Sequence, residues 1–333
     1  MERNRFVDVL KGIFIIFVIV LHSAVSMTTR DTWLFPFWVN LAVPAFMLIS
    51  GYVSALSEER RGISNLQDSY EPKRLLKKWI RFLSPFSIAF VAEWIVFRVF
   101  GLYTVGVREY GIFALLLDFL RGGKGQGSYY FPVMMQFVVL FPIIYYIIRK
   151  YALKGLAGCF VANGFFEVLK LAYGMGDYEY RLLVLRYIFV IAAGCYLAIG
   201  NIHKSWKTTS LAVGCLVAGA LFIYLFSYTG YTPKIITFWQ GTSFLTGLFL
   251  VPILGWLLCK VRVGFKPLEI VGKASFNIFL VQMIYFIFVE ETCALIPNVG
   301  LHLVVSIVNC VAVGVLFYYL EHRLTQFVIS KIK

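Results

Sequence analysis

The chain is poor in charge. Of its 333 residues 14% are Asp, Glu, Lys or Arg, where soluble domains carry roughly a quarter. That shortage excludes an ordinary water-soluble domain. No hydrophilic stretch is long enough to fold as a separate soluble unit between the apolar blocks. Acidic residues are scarcer still, 17 against 31 basic ones, which leaves a net charge of +14. There are only four histidines, 22, 203, 302 and 322, and none has acidic or cysteine partners at ligand spacing, so no metal site is expected. The six cysteines (159, 195, 215, 259, 293, 310) contain no CxxC and lie mostly in apolar runs; small core residues are expected, not a disulfide framework.

What is abundant is hydrophobicity. Sixty per cent of the residues are hydrophobic and the mean hydropathy is +0.80. Apolar blocks recur at the ~20-residue length that a ~30 Å hydrocarbon core requires. They predict an all-α, polytopic membrane bundle of ten spans, near 6–28, 34–56, 80–103, 129–149, 155–174, 181–200, 208–228, 236–259, 268–289 and 300–320. The whole of 1–333 reads as one integral-membrane domain. Its first run lacks a small-residue cleavage site and is expected to be retained, not removed as a signal peptide. The piece GIFALLLDFL (111–120) is too short to cross and is expected to be re-entrant or interfacial. The tail RLTQFVISKIK (323–333) is expected to be a short amphipathic helix. No repeat of 20–50 residues is visible.

The basic residues alternate between loops. Arg3 and Arg5, the run Arg60 to Lys78, Arg149 to Lys154, Lys204 and Lys207, Lys260 to Lys266 and Arg323 to Lys333 fall on one side; the intervening loops carry few. With ten spans this places both termini in the cytoplasm. Contact with anionic lipid then accounts for much of the positive charge, and no nucleic-acid partner is expected.

Polar groups inside spans are costly and mark candidate functional sites. The stretch DVLKGIFIIFVIVLHSAV (8–25) holds three: Asp8, Lys11 and His22. Lys11 and His22 are eleven positions apart, so they share a helix face with about 20° of offset and ~16 Å of rise. Asp8, three positions before Lys11, shares that face and can pair with it. The bland reading makes Asp8 and Lys11 interfacial anchors and His22 a hydrogen-bonding core residue. Other charges fall in spans: Glu93 and Arg98, which do not share a face well, Glu167 and Lys170, which can pair, and Arg186. GGKGQGSYY (122–130) lacks the GKS/T ending of a phosphate loop and reads as a flexible outer loop.

DVLKGIFIIFVIVLH resembles the first-span signature of the acyltransferase family 3 membrane proteins, a basic residue followed eleven positions later by histidine; the family usually has arginine where this chain has Lys11. PAFMLISGYV (44–53) resembles the end of that family's second span, with Ser50 and Gly51. KRLLKKWIRFLSP (73–85) resembles its basic third-span opening, with Lys78 and Arg81 at the two-arginine motif. YYFPVMMQFVVLFPII (129–144), RYIFVIAAGCYLA (186–198) and GKASFNIFLVQ (272–282) resemble later spans, the last ending on Gln282 where the family often has histidine.

The resemblance implies transfer of an acyl group, commonly acetyl, from cytoplasmic acyl-CoA to a hydroxyl of a cell-surface or lipid-linked carbohydrate, as in polysaccharide O-acetylation. Acetyl-CoA or another acyl-CoA is then a co-substrate, and no permanently bound cofactor is expected. Lys11, Arg74, Lys78 and Arg81 would bind the donor phosphates. His22 would act as general base or relay the acyl group. Asp8, Ser50, Gly51, Glu93 and Arg186 would support the site or face the acceptor; for the Ser50–Gly51 pair, close packing is the favoured reading. The location implied is a bacterial inner or plasma membrane. A proton-coupled small-solute transporter using His22 and the intramembrane charges is the alternative from a different class.

Overall fold

The structure, a computed structural model, describes residues 5–100, 112–199, 206–230 and 244–332. Arg3, Arg108, His203, Lys204, Lys234, Lys333 and the first part of the span expected at 236–259 lie outside the described residues. Every regular element among the described residues is helical. Helix α1 (Arg5–His22) is followed by α2 (Met27–Thr32), a 3₁₀ turn (Phe35–Phe37), α3 (Ala42–Arg60), α4 (Leu66–Ser69) and α5 (Pro72–Val99). Next come α6 (Ile112–Leu120), α7 (Tyr130–Ala172), α8 (Asp177–Arg181), a 3₁₀ turn (Val184–Tyr187) and α9 (Ile188–Ile199). The rest is α10 (Trp206–Tyr228), α11 (Thr246–Lys260), α12 (Lys266–Lys273), α13 (Ser275–Tyr285), α14 (Val289–Leu295) and α15 (Val299–Lys331).

Six helical stretches are long and apolar enough to cross a membrane: Phe35–Arg60, Leu66–Val99, Tyr130–Ala172, Thr209–Tyr228, Ser275–Leu295 and Val299–Lys331. The difference from the ten expected spans has identifiable causes. The fourth and fifth share α7, which folds back at Ala152 (φ 47°, ψ −120°) and brings Gly155 against the carbonyl of Ile147. The sixth and eighth are the shorter apolar helices Val184–Ile199 and Thr246–Lys260. Helix α1 carries Arg5, Asp8 and Lys11 within 18 residues. The tail from 323 continues α15 without a break.

In a bilayer the surrounding lipid is as apolar as the side chains, so close backbone contact, more than burial, holds helices together. Glycine supplies that contact here. Gly12 of α1 meets the backbone of Leu268, and Gly272 of α12 meets that of Asp8. Gly51 of α3 lies on the backbone of Ile191 in α9, and Gly194 of α9 on that of Leu48. Gly314 of α15 packs on Ile278 of α13. The outer faces are apolar and exposed, as lipid contact requires: Leu211, Val217 and Leu221 on α10, Val304, Val308 and Leu316 on α15. Helix α6 is nine residues long and likewise exposes Ile112, Phe113, Leu116 and Leu120.

Candidate active site

The stripe on α1 is real and faces inward. Asp8, Lys11, Ile15, Val18 and His22, spaced alternately three and four apart, line one wall of a cavity of about 540 Å³. That volume lies in the range of small-molecule sites. Helix α3 runs antiparallel to α1 and adds Ser50, Val53, Ser54 and Ser57; α5 adds Lys78, Arg81 and Phe82. The remaining wall comes from Gly127, Tyr129 and Tyr130, from Gly272 to Phe279, and from Tyr318, His322, Thr325 and Gln326 of α15.

At one end His22 Nδ1 lies 2.9 Å from Gln282 Oε1. Gln282 is fully buried, and its Nε2 donates to the Gln126 carbonyl at 3.1 Å. Gly127 packs against the imidazole Cε1 and the Phe279 ring, where a Cβ would sit 3.3 Å and 3.1 Å away. The glycine-rich segment is therefore held against the imidazole. Its anchor is Glu93, buried on α5, whose Oε1 accepts from the main-chain N–H of Lys124 at 3.0 Å and of Gly125 at 2.6 Å. Just beyond His22 the end of α1 is capped: the Arg30 guanidinium donates to the carbonyls of Leu21, Ser23 and Val25 at 2.9–3.0 Å.

The other end is cationic. Lys11, Lys78, Arg81 and Lys273 line it, with Asp8 as its acidic member and His322 and Gln326 beside it. Lys78 is steered by Glu58, a buried carboxylate 2.7 Å from its Nζ. Arg81 is exposed and forms no ion pair among the described residues. Lys273 reaches this end because Gly272 lets α12 lie on α1 beside Asp8.

Of the residues singled out from sequence, Asp8, Lys11, His22, Ser50, Lys78 and Arg81 come together around this cavity. Arg74 is not in its wall; it pairs with Glu58 at 3.4 Å and Glu71 at 3.2 Å. Gly51 points away, into the α3–α9 crossing. Glu93 holds the glycine segment from behind. Arg186 is buried under Tyr129, Tyr180 and Tyr187, its guanidinium carbon 4.7–5.8 Å from their ring centres. It thus backs Tyr129, which does line the cavity. Lys170 pairs with Asp177 at 2.7 Å, and Glu167 accepts from the Tyr180 hydroxyl at 2.5 Å. Arg98 stacks over Trp94. His302 bonds Thr292 at 3.1 Å, away from the cavity.

Sequence reasoning missed Lys273, Gln282, Glu58 and the tyrosine pair 129–130 as parts of the site. Signals were available: Gln282 stands where the family often has histidine, Lys273 lies in an expected span, Tyr129 and Tyr130 open a motif, and Glu58 is an acid beside an apolar span.

No curated protein and no solved structure matches the chain. A family model does: the acyltransferase domain of family 3, over residues 4–319, nearly the whole length. Helical throughout the described residues, multi-pass and built around a cavity with an imidazole at one end and cations at the other, the chain belongs to the acyltransferase family 3 membrane proteins.

Proposed function

We propose that this acyltransferase takes an acyl group, acetyl in the simplest case, from acyl-CoA and transfers it to a hydroxyl of a cell-surface or lipid-linked carbohydrate. The observation that carries the reading is one cavity holding both Lys11 with its neighbouring cations and His22, separated along α1 by ~16 Å. The donor's phosphates sit at Lys11, Lys78, Arg81 and Lys273, and its pantetheine arm runs along α1 past Ser57, Ser54 and Ser50. The thioester then arrives at the imidazole. His22 takes the proton of the acceptor hydroxyl as its oxygen attacks the thioester carbonyl. The C–S bond breaks and the leaving thiolate takes the proton back from the imidazolium, so the sum is ester plus free CoA. Acid–base assistance of this kind contributes about 10²–10⁴ in rate.

The alternation of Lys and Arg between loops supports ten crossings with both termini in the cytoplasm of a bacterial plasma membrane, which puts the cationic end on the acyl-CoA side. Mass spectrometry of surface glycans from cells with and without the gene is the test. A lost acyl mass, also lost with His22→Ala, supports the reading. Purified protein that binds no acyl-CoA but moves a solute across liposomes would overturn it in favour of a transporter.

A further inference from the structure

We infer that Gln282 is a positioning residue that sets the tautomer of His22, placing the proton on Nδ1 and presenting Nε2 to the cavity as the lone-pair nitrogen. The inference rests on the proposed role of His22 as base.

The inference follows from which groups can donate. The Gln126 carbonyl only accepts, so the end of the Gln282 amide that meets it at 3.1 Å must be the NH₂ end. Oε1 is then the end 2.9 Å from His22 Nδ1. A carbonyl oxygen cannot donate, so Nδ1 carries the hydrogen. In a neutral imidazole Nε2 is then the acceptor. Reversing the amide would set two oxygens against each other at Gln126 and the NH₂ group against Nδ1. With Gln282 fully buried, no water is at hand to compensate either loss. Nε2 has no hydrogen bond among the described residues, yet it is not one of the polar atoms sealed without a partner; it opens to the cavity that His22 lines.

The acceptor that orients Gln282 is itself fixed. Gln126 follows Lys124 and Gly125, whose N–H groups are bound by the Glu93 carboxylate. Glu93, the glycine segment, Gln282 and His22 form one relay of fixed orientations, drawn from α5, a loop, α13 and α1. A glutamine retained only to fill space would not need its two ends discriminated in this way.

Nitrogen-15 NMR of the full chain in detergent, labelled at the histidine ring nitrogens, reads the tautomer directly. The four histidines are separated by omission, using His22→Ala to assign the His22 signals. The expected wild-type spectrum has a protonated Nδ1 and an unprotonated Nε2. Gln282→Met, similar in shape but without donor or acceptor, is expected to mix the tautomers. It should also lower acetyl-CoA turnover about tenfold, the size of one lost hydrogen bond, at unchanged KM for acetyl-CoA; thiol release is followed with solubilised lipid-linked glycans present. Gln282→Glu keeps an acceptor for Nδ1 and should keep the Nδ1–H signature. A wild-type His22 protonated on Nε2, or a Gln282→Met chain with unchanged tautomer and kcat, overturns the inference. Full activity in His22→Ala overturns the function instead, and the spectrum still decides the role of Gln282.

Discussion

Replacing Gly272 with alanine puts one methyl group where α12 crosses α1. Its Cβ would overlap the carbonyl oxygen of Asp8 and stand 2.7 Å from that group's carbon and 3.0 Å from the nitrogen of Gly12, all main-chain atoms that no rotamer change can move aside. Ordinary contact begins near 3.4 Å, so the carbon alone requires the two helices to part by 0.7 Å (3.4 − 2.7), and the overlapped oxygen requires more. Overpacking of this kind costs about 1–3 kcal/mol, and the better helix propensity of alanine returns at most about 1 kcal/mol. With that full return, a net loss of up to roughly 2 kcal/mol is expected. The displacement matters more than the energy. If α1 moves by 0.7 Å away from α13, the 2.9 Å bond between His22 and Gln282 opens to 3.6 Å, beyond hydrogen-bonding range. Misplacement of a catalytic group by about 1 Å can cost 10²-fold, so turnover should fall between about tenfold and a hundredfold. Thermal unfolding in detergent and thiol release from acetyl-CoA read the two effects. Gly214→Ala is the control: nothing lies within 4 Å of its Cβ position, so it should be neutral or slightly stabilising. A Gly272→Ala chain as stable and active as the parent would refute the reasoning.

Lys273→Ala should weaken acetyl-CoA binding about three- to tenfold, less so as salt is raised; titration calorimetry showing no loss at low salt would remove Lys273 from the donor site. Glu93→Ala deprives two main-chain N–H groups of a charged acceptor, each such bond being worth about 1.5–3 kcal/mol. Hydrogen exchange across 122–127 should rise while acyl-CoA affinity holds, and unchanged protection there would show that Glu93 is not the anchor. Glu58→Gln breaks a largely buried charge pair with Lys78, for which a loss of about 2–3 kcal/mol is expected after allowing for the partial exposure of the lysine. An unaltered melting temperature would mean that this pair adds little.

Much of the site was legible because its first wall lies on one helix. The period of α1 alone puts Asp8, Lys11 and His22 on a common face, and the structure lines the cavity with that face. Ser50, Lys78 and Arg81 were reached through motif order. What remained hidden was set by contacts between distant segments. Gln282 meets His22 across 260 positions and Gln126 across 156, distances over which no local pattern operates. Lys273 reads as the basic start of an apolar span until the glycine crossing brings it beside Asp8. Conversely, Arg74 belongs to the same basic run as Lys78 but is occupied by Glu58 and Glu71. The glycine segment 122–127 read as a flexible outer loop from its composition. Its restraint comes from Glu93, some thirty positions earlier on another helix. For the fold, hydropathy gave membrane segments and their order, whereas the fusion of two into α7 depends on one residue's backbone angles.

That fusion bears on how the chain is made. The two arms of α7 are joined at Ala152 without a loop, so where the first arm ends fixes where the second begins. With both outer ends on the far side, the pair cannot enter tip first from the cytoplasm; in the proposed orientation the first arm crosses back after α5 and the second crosses out after it. Arg149, Lys150 and Lys154 lie at the tip. In the orientation proposed, those charges stay on the cytoplasmic side and never cross.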